Sequence, residues 1–223
     1  MLTVHAVIVT VLYLIDLFLL TPKYTKCKYD HTPRTQKLLW KGSCVGLPLL
    51  ILILETVLRF ASANEVSLSN ILLIVGMLLC ACGDIVLEVR FVKGGALFFA
   101  GHLTYVVALY FMQEELSIIS IIIYILFVAI GTALTLTKLS KKYRAVLIGY
   151  NLAISGSFSM SVPLILTGSP AYVLVGCGAC FLVISDWLLA RNKAYGSNYS
   201  WSLVSLLFYF GGQILISTYP LLY

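Results

Sequence analysis

Long apolar runs follow one another along the whole chain, separated only by short polar breaks, and each is about the length of a membrane crossing. A spanning helix needs about 20 mostly apolar residues. Reading the runs between polar punctuation predicts eight spans, at roughly 2–20, 39–60, 70–89, 94–112, 117–137, 145–166, 171–190 and 200–219. None shows the alternation of a barrel strand, so helices are the spanning form. The expected fold is therefore all-α: a polytopic transmembrane helical bundle forming one transmembrane domain over residues 1–223. Composition agrees. Only 11% of the residues are charged and 61% are hydrophobic, whereas about a quarter of a soluble domain is charged. The segment Met1–Leu20 lacks a basic start, carries His5 and Asp16, and runs into Thr-Pro-Lys rather than a small-residue cleavage site. It reads as a retained span and not as a signal peptide.

The basic residues fall in alternate breaks. Lys23, Lys26, Lys28, Arg34, Lys37 and Lys41 surround the first connection, and Arg90 and Lys93 mark the third. Lys138, Lys141, Lys142 and Arg144 mark the fifth, and Arg191 and Lys193 the seventh. The opposite side holds Arg59 beside Glu65, Glu114 and Glu115. This bias predicts cytosolic odd-numbered connections and non-cytosolic termini, in an integral multi-pass protein of the endoplasmic reticulum or plasma membrane. The net charge of +6 is then a topology signal, and no nucleic-acid partner is expected. The expected span three ends Gly83-Asp84-Ile-Val-Leu-Glu-Val-Arg90 and span seven ends Ser185-Asp186-Trp-Leu-Leu-Ala-Arg191, an echo that suggests two parallel four-helix halves. Gly42-x-x-x-Gly46 fits a helix-contact motif.

Lipid does not account for several polar residues. A carboxylate at the centre of a spanning helix costs about 2.5–3.5 kcal/mol on insertion scales and needs a reason to be there. Asp84 and Asp186 each stand about five residues before the expected cytosolic end of their spans, roughly 7–8 Å along the axis. The two spans run in the same direction, so both carboxyls are expected at one depth in a shared cavity. Glu88 and Asp16 read as interfacial. His102 and Tyr105 share a face three residues apart. Ser202, Ser205, Tyr209, Gln213 and Ser217 form a polar stripe that must turn away from lipid. In span six, Tyr150 and Asn151 are the residues of interest, and the serines read as close-packing positions. A polar pocket opening to the cytosol is expected among spans three, four, six, seven and eight.

A zinc hydrolase needs three or more ligands. His5 and His31 lie near the opposite face and in a loop, which leaves His102 alone, so no metal and no cofactor is expected. No Gly-x-Ser-x-Gly elbow and no phosphate loop is present.

Gly76-x6-Gly83-Asp84-x2-Leu87, followed by Phe98-Phe99-x2-His102-x2-Tyr105, resembles the first signature of the YhhN-type lysoplasmalogenases. Gly176-x-Gly178-x2-Phe181-x3-Ser185-Asp186-x2-Leu189-Ala190-x-Asn192 is similar to the second, and Tyr209-x3-Gln213-x-Leu215-Ile216 to the closing segment. The family usually has Lys close before Pro at the start of span two, whereas Lys41 and Pro48 are seven apart here. The resemblance implies hydrolysis of the vinyl ether of a lysoplasmalogen, a lysophospholipid drawn from the bilayer, to a fatty aldehyde and a glycerophospho-choline or -ethanolamine. Such a bond breaks when its β-carbon is protonated and water attacks the resulting oxocarbenium ion. The chemistry calls for one protonated and one ionised carboxyl, as in glycosidases. Asp84 and Asp186 are the pair expected to supply them, with His102, Tyr105, Tyr150, Asn192, Tyr209 and Gln213 expected around the substrate. A proton-coupled transporter is the alternative, since paired intramembrane acids and parallel repeats occur there too.

Overall fold

The computed structural model describes residues 2–30, 32–63, 66–113, 115–138 and 144–222. Of the residues weighed above, His31, Glu65, Glu114, Lys141 and Lys142 lie outside the described residues, as do the side chains of Lys138, Arg144 and Lys193. Within the described residues the chain is helical throughout, with no strand. The helices are α1 (Leu2–Ile15), α2 (Thr21–Tyr29), α3 (Arg34–Ala63), α4 (Leu68–Leu87), α5 (Phe91–Gln113), α6 (Ile118–Lys138), α7 (Arg144–Leu166), α8 (Pro170–Tyr195), α9 (Tyr199–Ser217) and the short α10 (Tyr219–Leu222). A π-helical turn, Asp16–Leu20, joins α1 to α2 without a break.

Six stretches among the described residues are long and apolar enough to cross a membrane: His5–Tyr29, Arg34–Ser62, Leu68–Leu87, Val92–Gln113, Pro170–Asn192 and Tyr199–Leu222. The expected fifth span falls on α6, whose apolar part Ile118–Ala133 is shorter, and the expected sixth falls on α7. Several ends are longer than the apolar runs indicate. The first span continues to Tyr29, and α3 begins at Arg34 rather than near residue 39. Lys23, Lys26, Lys28, Arg34 and Lys37 are thus on helices and not in a loop. Pro22 stands inside this continuous helix, just after the π turn, and does not end it.

Local chemistry sets the other ends. Ser67 caps α4 by accepting from the Asn70 N–H at 3.2 Å, and Asn198 caps α9 by accepting from the Trp201 N–H at 2.9 Å. Pro170 starts α8, and Gly196, with φ +83°, ends it.

The helices that position the site form a closed circuit. α3 packs on α4, α4 on α5, α5 on α7, α7 on α8, α8 on α9, and α9 back on α3, while α6 packs on α7 from outside. α4 and α8 are not packing neighbours and face each other across the interior. The tightest seams are α4–α5 and α8–α9, and glycine makes both possible. A Cβ on Gly178 would lie 2.8 Å from the Gly212 carbonyl oxygen, and one on Gly212 equally close to that of Gly178. Across α4–α5, a Cβ on Gly94 would stand 2.6 Å from the Leu87 backbone. Gly42 and Gly46 behave otherwise than expected. An added Cβ at either meets no atom within 4 Å, so their motif makes no helix contact inside the chain.

Candidate active site

α4 carries Asp84 and α8 carries Asp186 into the interior, where they are 5% and 8% exposed. The matched distance to a helix end is not kept. Asp84 lies three residues before Leu87, but α8 runs nine residues past Asp186 to Tyr195. The turn that closes α8 comes only at Gly196, so Arg191 marks no helix end. Asp84, His102, Tyr105, Tyr209 and Gln213 are all buried.

Around Asp84 the dominant feature is Lys41, which is 3% exposed. Its three N–H donors have three acceptors: the Asp84 carbonyl oxygen at 2.9 Å, Glu88 Oε1 at 3.1 Å and Asp84 Oδ1 at 3.2 Å. This corrects the assignment of Lys41 to the loop charges. Because α3 starts early, Lys41 stands two turns inside it, and a buried ammonium survives there only because carboxylates meet it. Glu88, at the end of α4 and half-buried, accepts from Lys41 at 3.1 Å and from the Tyr24 hydroxyl at 2.8 Å. Asp16 is not interfacial. It is fully buried, and neither of its carboxyl oxygens has a hydrogen-bond partner. The Tyr209 hydroxyl lies beside the Asp84 carboxyl, but neither Tyr209 Oη nor Asp84 Oδ2 completes a hydrogen bond.

Around Asp186 the partner is His102, whose Nε2 stands 3.0 Å from Asp186 Oδ2. The other ring nitrogen, Nδ1, is 3.3 Å from Ser157 Oγ. The imidazole sits edge-to-face with Tyr105 and Tyr150, at centroid distances of 6.1 and 5.7 Å, and the Tyr150 hydroxyl lies beside Asp186. Immediately before Asp186, Ser185 Oγ donates to the Ser205 carbonyl at 2.8 Å and Ser205 Oγ to that of Ser185 at 3.1 Å. That reciprocal pair fixes the rotation of α8 against α9 and so the direction of Asp186.

The two halves of the cluster meet at Cys80. The Cys80 thiol and the Tyr150 hydroxyl are each within electrostatic reach of both carboxyl groups. Tyr105 donates to Gln213 Oε1 at 2.9 Å next to the same thiol. Of the residues expected around a substrate, His102, Tyr105, Tyr150, Tyr209 and Gln213 therefore gather about the two aspartates. Asn192 does not join them: its amide donates to the Trp201 carbonyl at 3.4 Å near the end of α8. Asn151 likewise turns to α6, donating to the Val128 carbonyl at 3.1 Å. Sequence reasoning missed Lys41, Ser157, Cys80 and Tyr24. For Lys41 the available signal was a basic residue inside an apolar run ahead of Pro48. For Ser157 there was none, since its neighbours Ser155, Ser159 and Ser161 are buried too.

Buried neutral surroundings, one cationic partner for one acid and one imidazole for the other make this a site for moving a proton. The YhhN family model matches residues 36–219, which takes in α3 to α9 and with them every residue of the cluster but Tyr24. No curated protein and no solved structure matches the chain.

Proposed function

The chain belongs to the YhhN family, and on that premise we propose that it is a membrane-embedded hydrolase of the lysoplasmalogenase type. It cleaves the vinyl ether of a lysoplasmalogen taken from the bilayer, releasing a fatty aldehyde and a glycerophospho-amine. The observation that carries this reading is the convergence of Asp84 and Asp186, from helices that do not pack on one another, upon Cys80 and Tyr150.

A vinyl ether is weakly basic at carbon, so its protonation needs an acid held in place and a negative charge close to the cation that forms. Two carboxyls can divide these tasks when one holds a proton and the other is ionised. The oxocarbenium ion is then met by water, and the hemiacetal so formed collapses to aldehyde and alcohol. The unspent hydrogen-bonding capacity of Tyr209 and Asp84 is available to the bound lipid or to that water. In this reading the chain makes eight crossings with its odd-numbered connections in the cytosol, as the charge bias supports, and the cluster lies toward the cytosolic leaflet. The echo between spans three and seven supports two parallel halves.

Purified protein in detergent, given a lysoplasmalogen and its saturated ether analogue, tests the proposal. Aldehyde is expected from the vinyl ether alone. Release from neither lipid, by protein that keeps its helical signal, would reject it.

One observation favours the carrier reading. A trail of buried polar groups leads away from Asp84 toward the other end of the bundle. Cys44 lies within reach of both Asp84 and Asp16, Tyr13 of both Asp16 and Glu55, and Glu55 meets His5 at 2.5 Å. Acidification of protein-containing vesicles that depends on Asp16, with no aldehyde formed, would select the carrier.

A further inference from the structure

Asp84 and Asp186 stand in matching stretches of sequence, yet the groups that face them favour opposite protonation. Lys41 has three donors, and all three are spent on acceptors of α4: the Asp84 carbonyl, Asp84 Oδ1 and Glu88 Oε1. An ammonium can only donate, so Asp84 Oδ1 receives, and a buried cation 3.2 Å away favours the carboxylate over the neutral acid. With both acids ionised, Lys41, Asp84 and Glu88 together carry one net negative charge.

At Asp186 the logic runs the other way. Ser157 Oγ has two carbonyl oxygens to which it donates, those of His102 at 3.2 Å and Ala153 at 3.4 Å. Carbonyls only accept, so the hydroxyl hydrogen goes to one of them and Ser157 Oγ receives from His102 Nδ1–H. That fixes the tautomer from the network. Nε2 of the neutral ring then turns its lone pair toward Asp186 Oδ2 at 3.0 Å, an oxygen with no hydrogen-bond partner among the described residues, and two facing lone pairs at that distance repel unless the carboxyl is protonated. Among the described residues no lysine or arginine is paired with Asp186, and a neutral acid–imidazole pair is cheaper to bury than an ion pair.

Resting on the hydrolase reading for its catalytic consequence, we propose that Asp186, facing His102 Nε2 at 3.0 Å, is the proton donor, that Asp84 is the fixed anion, and that Lys41 is the positioning residue that keeps it so. The groups that face Asp84 are Lys41 and Cys44 from α3, Tyr24 from α2, Tyr150 from α7, Tyr209 from α9, and Cys80 and Glu88 from its own side of the bundle. Those that face Asp186 are His102 from α5, Tyr150 from α7 and Cys80 from α4. The Asp186 proton passes to the β-carbon of the vinyl ether, the C=C π pair forms the new C–H bond, and the α-carbon becomes an oxocarbenium ion facing Asp84. Water adds to that carbon and returns one proton to the Asp186–His102 pair. The hemiacetal hydroxyl then loses its proton as the C–O bond to glycerol breaks and the glycerol oxygen is protonated. One water is consumed, and Asp186 ends protonated as it began.

Infrared spectroscopy of the full chain in detergent tests the proton assignment without any substrate. The C=O stretch of a buried carboxylic acid is expected in wild type, lost in Asp186→Asn and kept in Asp84→Asn. Asp16, buried apart from both, serves as a control whose band is the same in each. Should Asp186→Asn fail to fold, Asp186→Glu is expected to move the same band. A band lost in Asp84→Asn instead overturns the proposal. The positioning role is read from pH–rate profiles with the vinyl ether lipid. Lys41→Arg is expected to follow wild type. Lys41→Met is expected to be about 100-fold slower at neutral pH, the scale of one acid–base group, and to regain rate as pH rises and Asp84 ionises unaided. Equal rates and equal profiles for the two variants would overturn it. If the Asp186 band is present but wild type releases no aldehyde, the hydrolase reading falls and the proton assignment stands.

Discussion

The α4–α5 hairpin and the α8–α9 hairpin are built alike and charged differently. Each brings two helices to backbone contact over glycine, at Gly94 in one and at Gly178 with Gly212 in the other. Each carries one buried aspartate on its first helix and a tyrosine or histidine of the cluster on its second. The difference comes from the third helix that each aspartate meets. α3 brings an ammonium to Asp84, whereas α5 and α7 bring an imidazole and a tyrosine hydroxyl to Asp186. Backbone geometry can thus be shared while the charge state of the acid is set by whatever packs across from it.

The largest effects break that comparison at the acids themselves. Asp84→Asn and Asp186→Asn are each expected to lower aldehyde release by about 10²–10⁴-fold, the range for loss of an acid–base group. Turnover under saturating lipid checks this, and full activity in either well-folded variant would remove that residue from the chemistry. Next comes stability. Lys41→Met leaves the buried Asp84 carboxylate without its cation and takes one from the half-buried Glu88, and breaking a buried pair costs about 3–5 kcal/mol. The loss is expected to shrink in the Lys41→Met/Asp84→Asn double variant, because Asn leaves less charge stranded. Thermal unfolding in detergent of the two single variants and the double variant measures the coupling, and additive losses would show that Lys41 and Asp84 act independently.

How far the sequence reveals this arrangement follows from what each signal depends on. Apolar runs are visible because both lipid and core demand apolar side chains, so α3, α4, α5, α8 and α9 coincide with expected spans. The aspartates are visible for the opposite reason, as residues that neither solvent explains. Lys41 was hidden because its counter-charges are Asp84 and Glu88, 43 and 47 residues further on, and no local pattern reports them. Read with its neighbours alone, it looks like one more basic residue at a membrane edge. His102 and Asp186 were each legible, but their 3.0 Å contact depends on α5 and α8 being brought together by α7 and α9. Asn192 shows the converse, since a motif position placed it beside the aspartates and packing sends it to Trp201.

The seams give a smaller and more discriminating test. At Gly178 an added Cβ meets backbone, the Gly212 carbonyl at 2.8 Å and the Ile216 N at 3.0 Å, and backbone cannot step aside. At Gly101 the nearest atom is Cys80 Sγ at 2.6 Å, the end of a side chain that can rotate. Gly178→Ala is therefore expected to cost about 1–3 kcal/mol, the usual penalty of overpacking, and Gly101→Ala less. If the thermal midpoints fall in the reverse order, the α4–α5 seam is the more rigid of the two.

Smallest of all is the serine pair that aims Asp186. Ser205→Ala removes the hydroxyl that donates to the Ser185 carbonyl but leaves the Ser205 carbonyl that Ser185 uses. Interhelical hydrogen bonds of this kind in membrane proteins average about 0.6 kcal/mol, so the thermal midpoint is expected to move little. Activity is the more sensitive readout, because α8 then has one tether in place of two just where Asp186 must meet His102. A lower turnover at unchanged stability would show that this hairpin is tuned for direction. Unchanged turnover would mean that the Gly178–Gly212 seam alone holds Asp186 in register, and the two hairpins would then be equivalent in how they aim their acids.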